Sequence, residues 1–544
     1  MPTGPLEELR TAVEAAATEL RNGKPAPAVR PTLERPKKAG FGDYSTNAAM
    51  LLAPSLGAPP REIAERLAGA LSGRLGERLE RVEVAGPGFL NVFLAEGWFA
   101  TALEDLLAGG EAFGTGKPEH PEKVLVEFVS ANPTGPLTAA SGRHAAFGDA
   151  LARILELAGH AVSREYYFND RGSQIDRLGE SIRARARGEE LPEDGYQGEY
   201  VDALARSIPG AAELDTAELA QHGVDEIMAG IRATLEAYRV RFDGWFLERD
   251  LHEGDPSAVA RTLALLEEHG HVYRSEGALW LRTTAFGDDK DRVLVRGSGE
   301  TTYFANDVAY HEDKLERGFD RMVNLLGSDH HGYIARMKAS MAALGVDPDR
   351  LEIPILQFVH IVDGGRRASM SKRRGDFVTL DDLIAEIGVD ATRFYMLSRS
   401  HDSTVDLDVD LAREQSNENP VYYVQYAHAR IASMLAKAGE ERVEAALGAG
   451  ARPPDLHPAE RELIKKLLAF PGEVAEAADR RAPHRIAAYA LELAQTFTAF
   501  YRDCRVVGAE GEGVEDFRIS LSVAAQRVIA RSLGLLGVEA PASM

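Results

Sequence analysis

The sequence predicts a central α/β domain, doubly wound about a mostly parallel sheet, preceded by a small α+β domain and followed by an all-α helical bundle. Three observations predict it. A strand–loop–helix–strand succession starts at Val124 and a second such half starts at Arg321; apolar residues recur at helical spacing after residue 387; and the first 118 residues mix helical with alternating patterns. At 544 residues the chain is too long for one ordinary core, and a prior of roughly 150 residues per domain suggests three or four units.

In residues 1–118, the helical patterns LEELRTAVEAAATEL and REIAERLAGALSGRL accompany RVEVAGPGFLNVFLA, which reads as strands broken by Gly-Pro-Gly. The turn-rich piece GEAFGTGKPEHPEK then sets a boundary near residue 118. The domain expected over 119–386 opens with strand VLVEFV, loop SANPTGPL, helix SGRHAAFGDALARILELAG and strand AVSREYYF, a βαβ unit with an expected right-handed crossover. Its second half is strand RMVNLLG, helix GYIARMKASMAALG, strand ILQFVHIV, a basic loop and a helix from TLDDLIAEIG. Between the halves, about 176–295, lies an insertion of acidic helical stretches, read as scaffold. Residues 387–544 are helical throughout, as in NPVYYVQYAHARIASMLAKAG and HRIAAYALELAQTFTAFYRDC, and no fixed-period repeat is visible.

Hydrophobic residues at 44 % and charged residues at 27 % supply enough apolar side chain for several cores. No apolar run approaches the roughly 20 residues of a membrane helix, and MPTGPLEELRTAVEAA lacks the regions of a signal peptide, so a cytoplasmic protein away from membranes is expected. The single cysteine, Cys504, excludes an internal disulfide framework and a zinc site built on two thiolates; no structural metal is expected. A net charge of −23 argues against indiscriminate nucleic-acid binding. Against that background, the tract from Arg366 to Arg374 concentrates five cations in nine residues, where a polyanion could dock.

In a doubly wound sheet ligands bind beyond the carboxyl ends of the strands, which directs attention to the loops after Val129, Gly327 and Val362. The first, Ser130 to Leu137, leads into a helix with Thr138 and Ser141 at its start, where N-caps belong and free N–H groups suit a phosphate; its plainer reading is loop punctuation. In the loop after Val362, Ser369-Met370-Ser371-Lys372-Arg373 could close over a triphosphate and neutralise charge developing at the transferred group, or be a solvated basic loop. Asp329-His330-His331 holds residue types that bind zinc, although adjacent histidines usually diverge. Asn169, Asp170 and Gln174 follow the second strand, where helix capping is their plain role. Tyr422, Tyr423, Tyr426, His428 and Arg430 offer aromatic faces and a cation for unpaired bases, at a spacing equally common in cores.

ANPTGPL before a helix and MSK after a strand resemble the two signature regions of class I aminoacyl-tRNA synthetases. FGDYSTNAAM, GPGFLNVFL, VEFVSANPTGPL, REYYFNDRGSQI, LLGSDHHGYIARM, SMSKRRGDFVTLDDL, VDATRFYML, NPVYYVQYAHAR and LLGVEAP are each similar to arginyl-tRNA synthetases, in the expected order over nearly the whole chain. The resemblance implies an N-terminal domain contacting the tRNA elbow, a Rossmann-type catalytic domain and a helical anticodon-binding domain. It implies that ATP and L-arginine form arginyl-adenylate and pyrophosphate, and that arginine then passes to the terminal ribose of tRNA(Arg), with tRNA needed even for activation. Mg2+ is expected to accompany ATP, and the chain to act as a monomer. The resemblance implies ATP contacts from Asn132, Pro133, Thr134, Gly135, Pro136, Leu137, Gly142, Gly327, Asp329, His331, Met370 and Lys372. Arginine is expected at Glu127, Ser130, Asn132, Tyr303 and Asp307: a guanidinium calls for carboxylates, and Tyr303 precedes Asp307 by one helical turn. Lys372, Ser371, Thr138 and Ser141 are the expected catalytic groups.

Two positions depart from the family pattern. The first signature normally carries two histidines around a glycine, but reads Thr138-Ala139-Ala140-Ser141 here, and Ser369 stands where a lysine is usual. Thr138 and Ser141 can still donate hydrogen bonds from the helix start, and His144 stands one turn further along. The altered segment leaves room for a tRNA-binding paralogue with impaired catalysis. A synthetase for an apolar amino acid is disfavoured, because Glu127 and Asp307 would be left as unpaired charges around it.

Overall fold

A computed structural model describes residues 4–23, 30–36, 38, 40–367 and 378–544. The amino-terminal part comprises α1 (Pro5–Arg21), β1 (Tyr44–Thr46), α2 (Ala48–Leu56), α3 (Pro60–Leu75), β2 (Leu79–Ala85), β3 (Phe89–Leu94) and α4 (Glu96–Gly109). Its strands form an antiparallel sheet in the order β1-β3-β2, and Leu90, Val92 and Leu94 of β3 are buried. The two segments either side of Gly86-Pro87-Gly88 are therefore a hairpin, as the alternating pattern predicts.

The central part follows with β4 (Lys123–Glu127), α5 (Ala139–Leu157), β5 (Ala161–Phe168), α6 (Ser173–Arg187), α7 (Glu199–Ser207), α8 (Thr216–Ala237) and β6 (Gly244–Leu247). Next come α9 (Ala258–Glu268), β7 (Val272–Ser275), β8 (Ala278–Leu281), β9 (Arg292–Val295), α10 (Tyr303–Glu316), β10 (Arg321–Asn324), β11 (Leu326–Gly327), α11 (Tyr333–Ala343), β12 (Leu351–Glu352), β13 (Ile355–Leu356), β14 (Val359–Asp363) and β15 (Arg366–Arg367). The core sheet runs β12-β10-β4-β5-β6, and all its pairings are parallel. From β4 the chain adds strands on one side, then returns to add β10 and β12 on the other. The order reverses between β4 and β10, and their carboxyl ends frame the crevice where such sheets bind ligands.

Two expectations need correction: residues 387–544 were read as helical throughout, yet Val405–Asp408 forms strand β16, paired parallel with β14. Residues 244–247 were read as part of a scaffold insertion between the two halves, yet β6 is the outer strand of the core sheet, with Gly244 to Leu247 in register with Glu165 to Phe168. Four residues, GWFL, carry too little periodicity to stand out between acidic helices. The separate antiparallel sheet β7-β8-β9 does lie within that stretch.

The remaining elements are α12 (Leu380–Met396), β16 (Val405–Asp408), α13 (Val409–Arg413), α14 (Pro420–Ala438), α15 (Glu440–Gly448), α16 (Pro458–Leu468), α17 (Phe470–Asp479), α18 (His484–Asp503) and α19 (Val514–Leu535). Gly388, at φ 80° and ψ 162°, breaks α12. A continuous apolar core joins all three parts, for example where Phe113, just after α4, stacks on Phe470 of α17 at 6.1 Å.

Candidate active site

The chain leaves β4 under strain. Val129 and Ser130 both take positive φ, 67° and 38°, a region that β-branched residues avoid and that concentrates at functional sites. Several bonds hold the bend. Ser130 Oγ donates to Glu127 Oε1 at 3.1 Å and accepts from the Tyr167 amide at 3.2 Å. The Tyr166 hydroxyl accepts from the Ala131 amide at 3.1 Å and donates to its carbonyl at 2.9 Å. The loop continues with exposed Asn132, whose Nδ2 donates to Gln174 Oε1 at 2.7 Å, and then Pro133 and Thr134. The Tyr200 hydroxyl donates to the Thr134 carbonyl at 2.9 Å and closes over Gly135, ahead of Pro136 and Leu137.

Thr138 caps α5: its side chain accepts from the Ser141 amide at 3.4 Å, and the two hydroxyls lie 3.3 Å apart. The start of α12 meets the first signature region at this point. Thr138 bridges antiparallel to Thr379, with the Leu380 amide donating to the Leu137 carbonyl at 2.9 Å, and Leu380 packs so tightly that a Cβ on Gly142 would lie 2.7 Å from its Cδ1. Met370, Ser371 and Lys372 lie outside the described residues, between β15 and this bridge.

Across the crevice, α10 presents a cluster of buried titratable side chains. Glu127, 8 % exposed, accepts from Lys314 Nζ at 2.6 Å, and Lys314 is completely buried. Asp307 accepts from the Tyr333 hydroxyl. Burial pushes the Asp307 carboxyl up to about 7; the Tyr333 bond and Lys314 oppose the rise, while Glu248 and Glu127 add to it. Glu248, just after β6, is buried and accepts from Asn306 Nδ2 at 2.7 Å and from the Tyr167 hydroxyl at 3.0 Å. Burial, then Glu248 and Asp307, push the Tyr167 phenol far upward, so it remains a donor. Asn306 Oδ1 is buried with no hydrogen-bond partner among the described residues. Tyr303, by contrast, is 57 % exposed at the first turn of α10, its hydroxyl near Gly172.

Sequence reasoning thus placed Glu127, Ser130, Asn132 and Asp307 around one crevice but missed Glu248, Lys314, Tyr333 and Asn306. Lys314 lies seven residues after Asp307, a spacing that puts both on one helix face and could have signalled it. Glu248 sat in the stretch read as scaffold.

Gly327 ends β11, and a Cβ there would lie 2.8 Å from Asp329 Oδ1. Asp329 and His331 are exposed beyond it, and His330 Nδ1 bonds Asp329 Oδ1 at 2.9 Å. No group of three or more His, Cys, Asp or Glu among the described residues is arranged to hold a metal. His144 lies on α5, and burial, then Arg143, pull its pKa down to about 4. Its Nδ1 finds no partner among the described residues. Asp170 is buried and paired with Arg249, whereas Asn169 accepts from the Arg171 amide at 2.9 Å in a local turn.

In the helical part, a cavity of about 720 Å³ is lined by Tyr426, Arg430, Lys437, Tyr501, Arg505 and Met544. Arg430 lies 5.1 Å over the rings of both Tyr426 and Tyr501, and Tyr422 stacks on Tyr426. Tyr423 and His428 turn elsewhere, to Thr498 Oγ1 at 3.2 Å and the Pro541 carbonyl at 2.8 Å.

Residues 7–94 match the arginyl tRNA synthetase N terminal domain, residues 102–193 and 253–430 the catalytic domain of class I (R) tRNA synthetases, and residues 424–544 the DALR anticodon binding domain. An arginine–tRNA ligase of Shouchella clausii is 44 % identical over 558 residues, covering 99 % of each chain. One of Frankia alni is 46 % identical over 525 residues, covering 94 % of each. The arginyl-tRNA synthetase structure of Thermus thermophilus superimposes with a TM-score of 0.78 at 27 % identity, covering 99 % of this chain and 100 % of that one. That of Plasmodium falciparum shares the fold, with a TM-score of 0.76 at 16 % identity, over 100 % of both. Matched over most of its length by these domains and over nearly all of it by relatives of this identity, the chain belongs to the arginyl-tRNA synthetase family.

Proposed function

We propose that this arginine–tRNA ligase activates arginine in the crevice between β4 and β10, with Asp307 and Glu248 accepting the guanidinium. The observation that carries the assignment is a charge imbalance. Among the described residues, three carboxylates, Glu127, Glu248 and Asp307, share the buried cluster with one ammonium, Lys314, which Glu127 already holds, while the Arg336 guanidinium lies 5.4 Å over the Tyr333 ring. Burying an uncompensated carboxylate is costly, and a planar cation with five donors offsets that cost while filling the unpartnered Asn306 Oδ1. Asn132 receives the α-amino group and Ser130 shapes the turn beside it. Tyr303 stands at the mouth.

ATP lies along the loop from Asn132 to Leu137 and the start of α5 at Gly142, with Gly327, Asp329 and His331 opposite, and Mg2+ accompanies its phosphates. The arginine carboxylate attacks the α-phosphorus and pyrophosphate leaves; a terminal ribose hydroxyl of tRNA(Arg) then attacks the carbonyl carbon and AMP leaves. Thr138, Ser141, Ser371 and Lys372 support the charge that develops on the phosphates. The cavity at Tyr426, Tyr501 and Arg430 takes an unpaired tRNA base, since every base has a face to stack. We place the monomer in the cytoplasm; among the described residues no helix is long and apolar enough to cross a membrane.

The test is aminoacylation with labelled arginine, with and without tRNA(Arg). Charged tRNA is expected. If the chain binds tRNA but forms neither adenylate nor product, it is the catalytically impaired paralogue that the Thr-Ala-Ala-Ser segment would suggest.

A further inference from the structure

The loop proposed to hold the nucleotide rests against a helix from outside the core sheet. Tyr200, in the first turn of α7, donates from its hydroxyl to the Thr134 carbonyl at 2.9 Å. Its ring lies along the backbone of the next residue, since a Cβ on Gly135 would stand 3.3 Å from Tyr200 Cζ and 3.4 Å from its oxygen. Burial pushes the phenol pKa upward, so the hydroxyl stays a donor at neutral pH. Beyond this contact, Pro136 and Leu137 border a cavity of about 340 Å³ shared with Leu204 and Ile231. That side of the loop is therefore not close-packed, and without the Tyr200 contact the loop would have room to move.

The helix that carries Tyr200 is itself fixed. Gly198, at φ 116°, turns the chain into α7, and just before it the Tyr196 amide donates to Ser181 Oγ of α6 at 2.9 Å. α6 lies so close to α8 that a Cβ on Gly179 would stand 2.2 Å from the Thr216 carbonyl oxygen, and one on Gly223 would stand 2.6 Å from Ile182 Cδ1. α8 is anchored in turn to α12. Thr234 Oγ1 donates to Asp381 Oδ2 at 2.9 Å, and the Tyr238 carbonyl at the end of α8 accepts from buried Arg393 at 2.9 Å.

A rigid block of three helices thus presents one hydroxyl to a loop that borders a cavity on the same side. We infer that Tyr200 is a positioning residue of the nucleotide site: from the insertion between the two halves of the sheet, it sets where the Thr134-Gly135 backbone stands against ATP. The inference rests on the nucleotide-loop reading proposed above.

Tyr200→Phe keeps the ring over Gly135 and withdraws only the bond to Thr134. A misplaced loop weakens the ligand that it holds and spares one held elsewhere. The ATP KM in pyrophosphate exchange, with tRNA present, is therefore expected to rise roughly fivefold, while the arginine KM stays within about twofold and the melting temperature is unchanged. Hydrogen exchange read by mass spectrometry reports on the loop directly. Without nucleotide, segment 130–142 should exchange faster in Tyr200→Phe than in wild type, and ATP should slow it in wild type.

An ATP KM within about twofold of wild type, or loop exchange equal to wild type, would overturn the inference. So would a joint rise in both KM values with a lower melting temperature, which would mark Tyr200 as support for the fold at large. If ATP leaves exchange of the wild-type segment unchanged, the nucleotide-loop reading itself is refuted, whatever Tyr200→Phe does.

Discussion

In the proposed pocket, Asp307 makes arginine recognition depend on pH. Its carboxyl moves from 3.8 to about 7 because burial disfavours the charged form, so in the arginine-free protein it is still partly protonated near neutrality. The sign follows. The folded state binds the proton more tightly than the unfolded state, so stability contributed by this group falls as pH rises from about 4 to about 7. Arginine favours the ionised form and reverses that effect. The arginine KM should therefore fall several-fold between about pH 6 and about pH 8, while Asp307→Asn should raise it roughly tenfold or more and flatten the profile. A wild-type profile with no step in that interval would remove Asp307 from the guanidinium site. At the first signature, Ser141→Ala and His144→Ala are each expected to slow pyrophosphate exchange by roughly tenfold, and wild-type rates in both would show that neither replaces the missing histidines. His144, held neutral with a pKa of about 4, should act as a hydrogen-bonding group without adding a titration step near neutrality. Residues of this kind differed in how visible they were. Ser130 to Leu137 could be found because Pro, Gly and hydroxyl residues punctuate a strand–helix junction, whereas Glu248 reaches the crevice only through a strand pairing that local pattern does not reveal.

The elements show why one helix matters to the site's shape. α5 lies so close to the exit of β4 that a Cβ on Gly148 would stand 2.2 Å from Phe128 Cγ, far inside contact distance. Phe128 separates Glu127 from the strained pair Val129 and Ser130, so any displacement there shifts the carboxylate and the loop proposed to hold the nucleotide. Gly148→Ala should cost about 1–3 kcal/mol through overpacking, lower the melting temperature by a few degrees, and reduce adenylate formation beyond what the stability loss accounts for. A variant with unchanged melting and exchange would mean that α5 can move away freely. Long amphipathic helices and the hairpin at Gly86-Pro87-Gly88 were legible in the sequence, because their periodicity extends over many residues. β6 was not, since its register comes from β5 rather than from its own four residues.

At the scale of the whole molecule, the three parts are joined by ion pairs distant in sequence, which no local pattern encodes. Arg481 donates to both oxygens of Glu352 on β12 at 2.8 and 2.9 Å, and Glu352 also accepts from Arg321 at the start of β10. Arg393, fully buried in α12, bonds Asp149 of α5 and donates to the Leu536 carbonyl at 2.8 Å. Asp43 links the amino-terminal part to the helical part: it is buried, accepts from the Leu94 amide at 2.9 Å and from Lys465 Nζ of α16 at 3.2 Å, and lies 3.8 Å from Arg461. Asp43→Asn keeps the shape but withdraws the charge that two enclosed cations face. Lys465 retains Glu462 at 2.5 Å, so the expected loss is about 1–3 kcal/mol rather than the larger figure for a wholly stranded ion. If the amino-terminal part touches tRNA far from the catalytic crevice, loosening this joint should raise the KM for tRNA several-fold. The KM values for arginine and ATP should stay within about twofold, because both are proposed to bind in the crevice between β4 and β10. Arg35→Ala provides the contrast, since its pair with Glu462 is partly exposed and such pairs contribute at most about 1 kcal/mol. Equal changes in all three KM values for Asp43→Asn would show that the joint supports the fold as a whole and has no separate part in presenting tRNA.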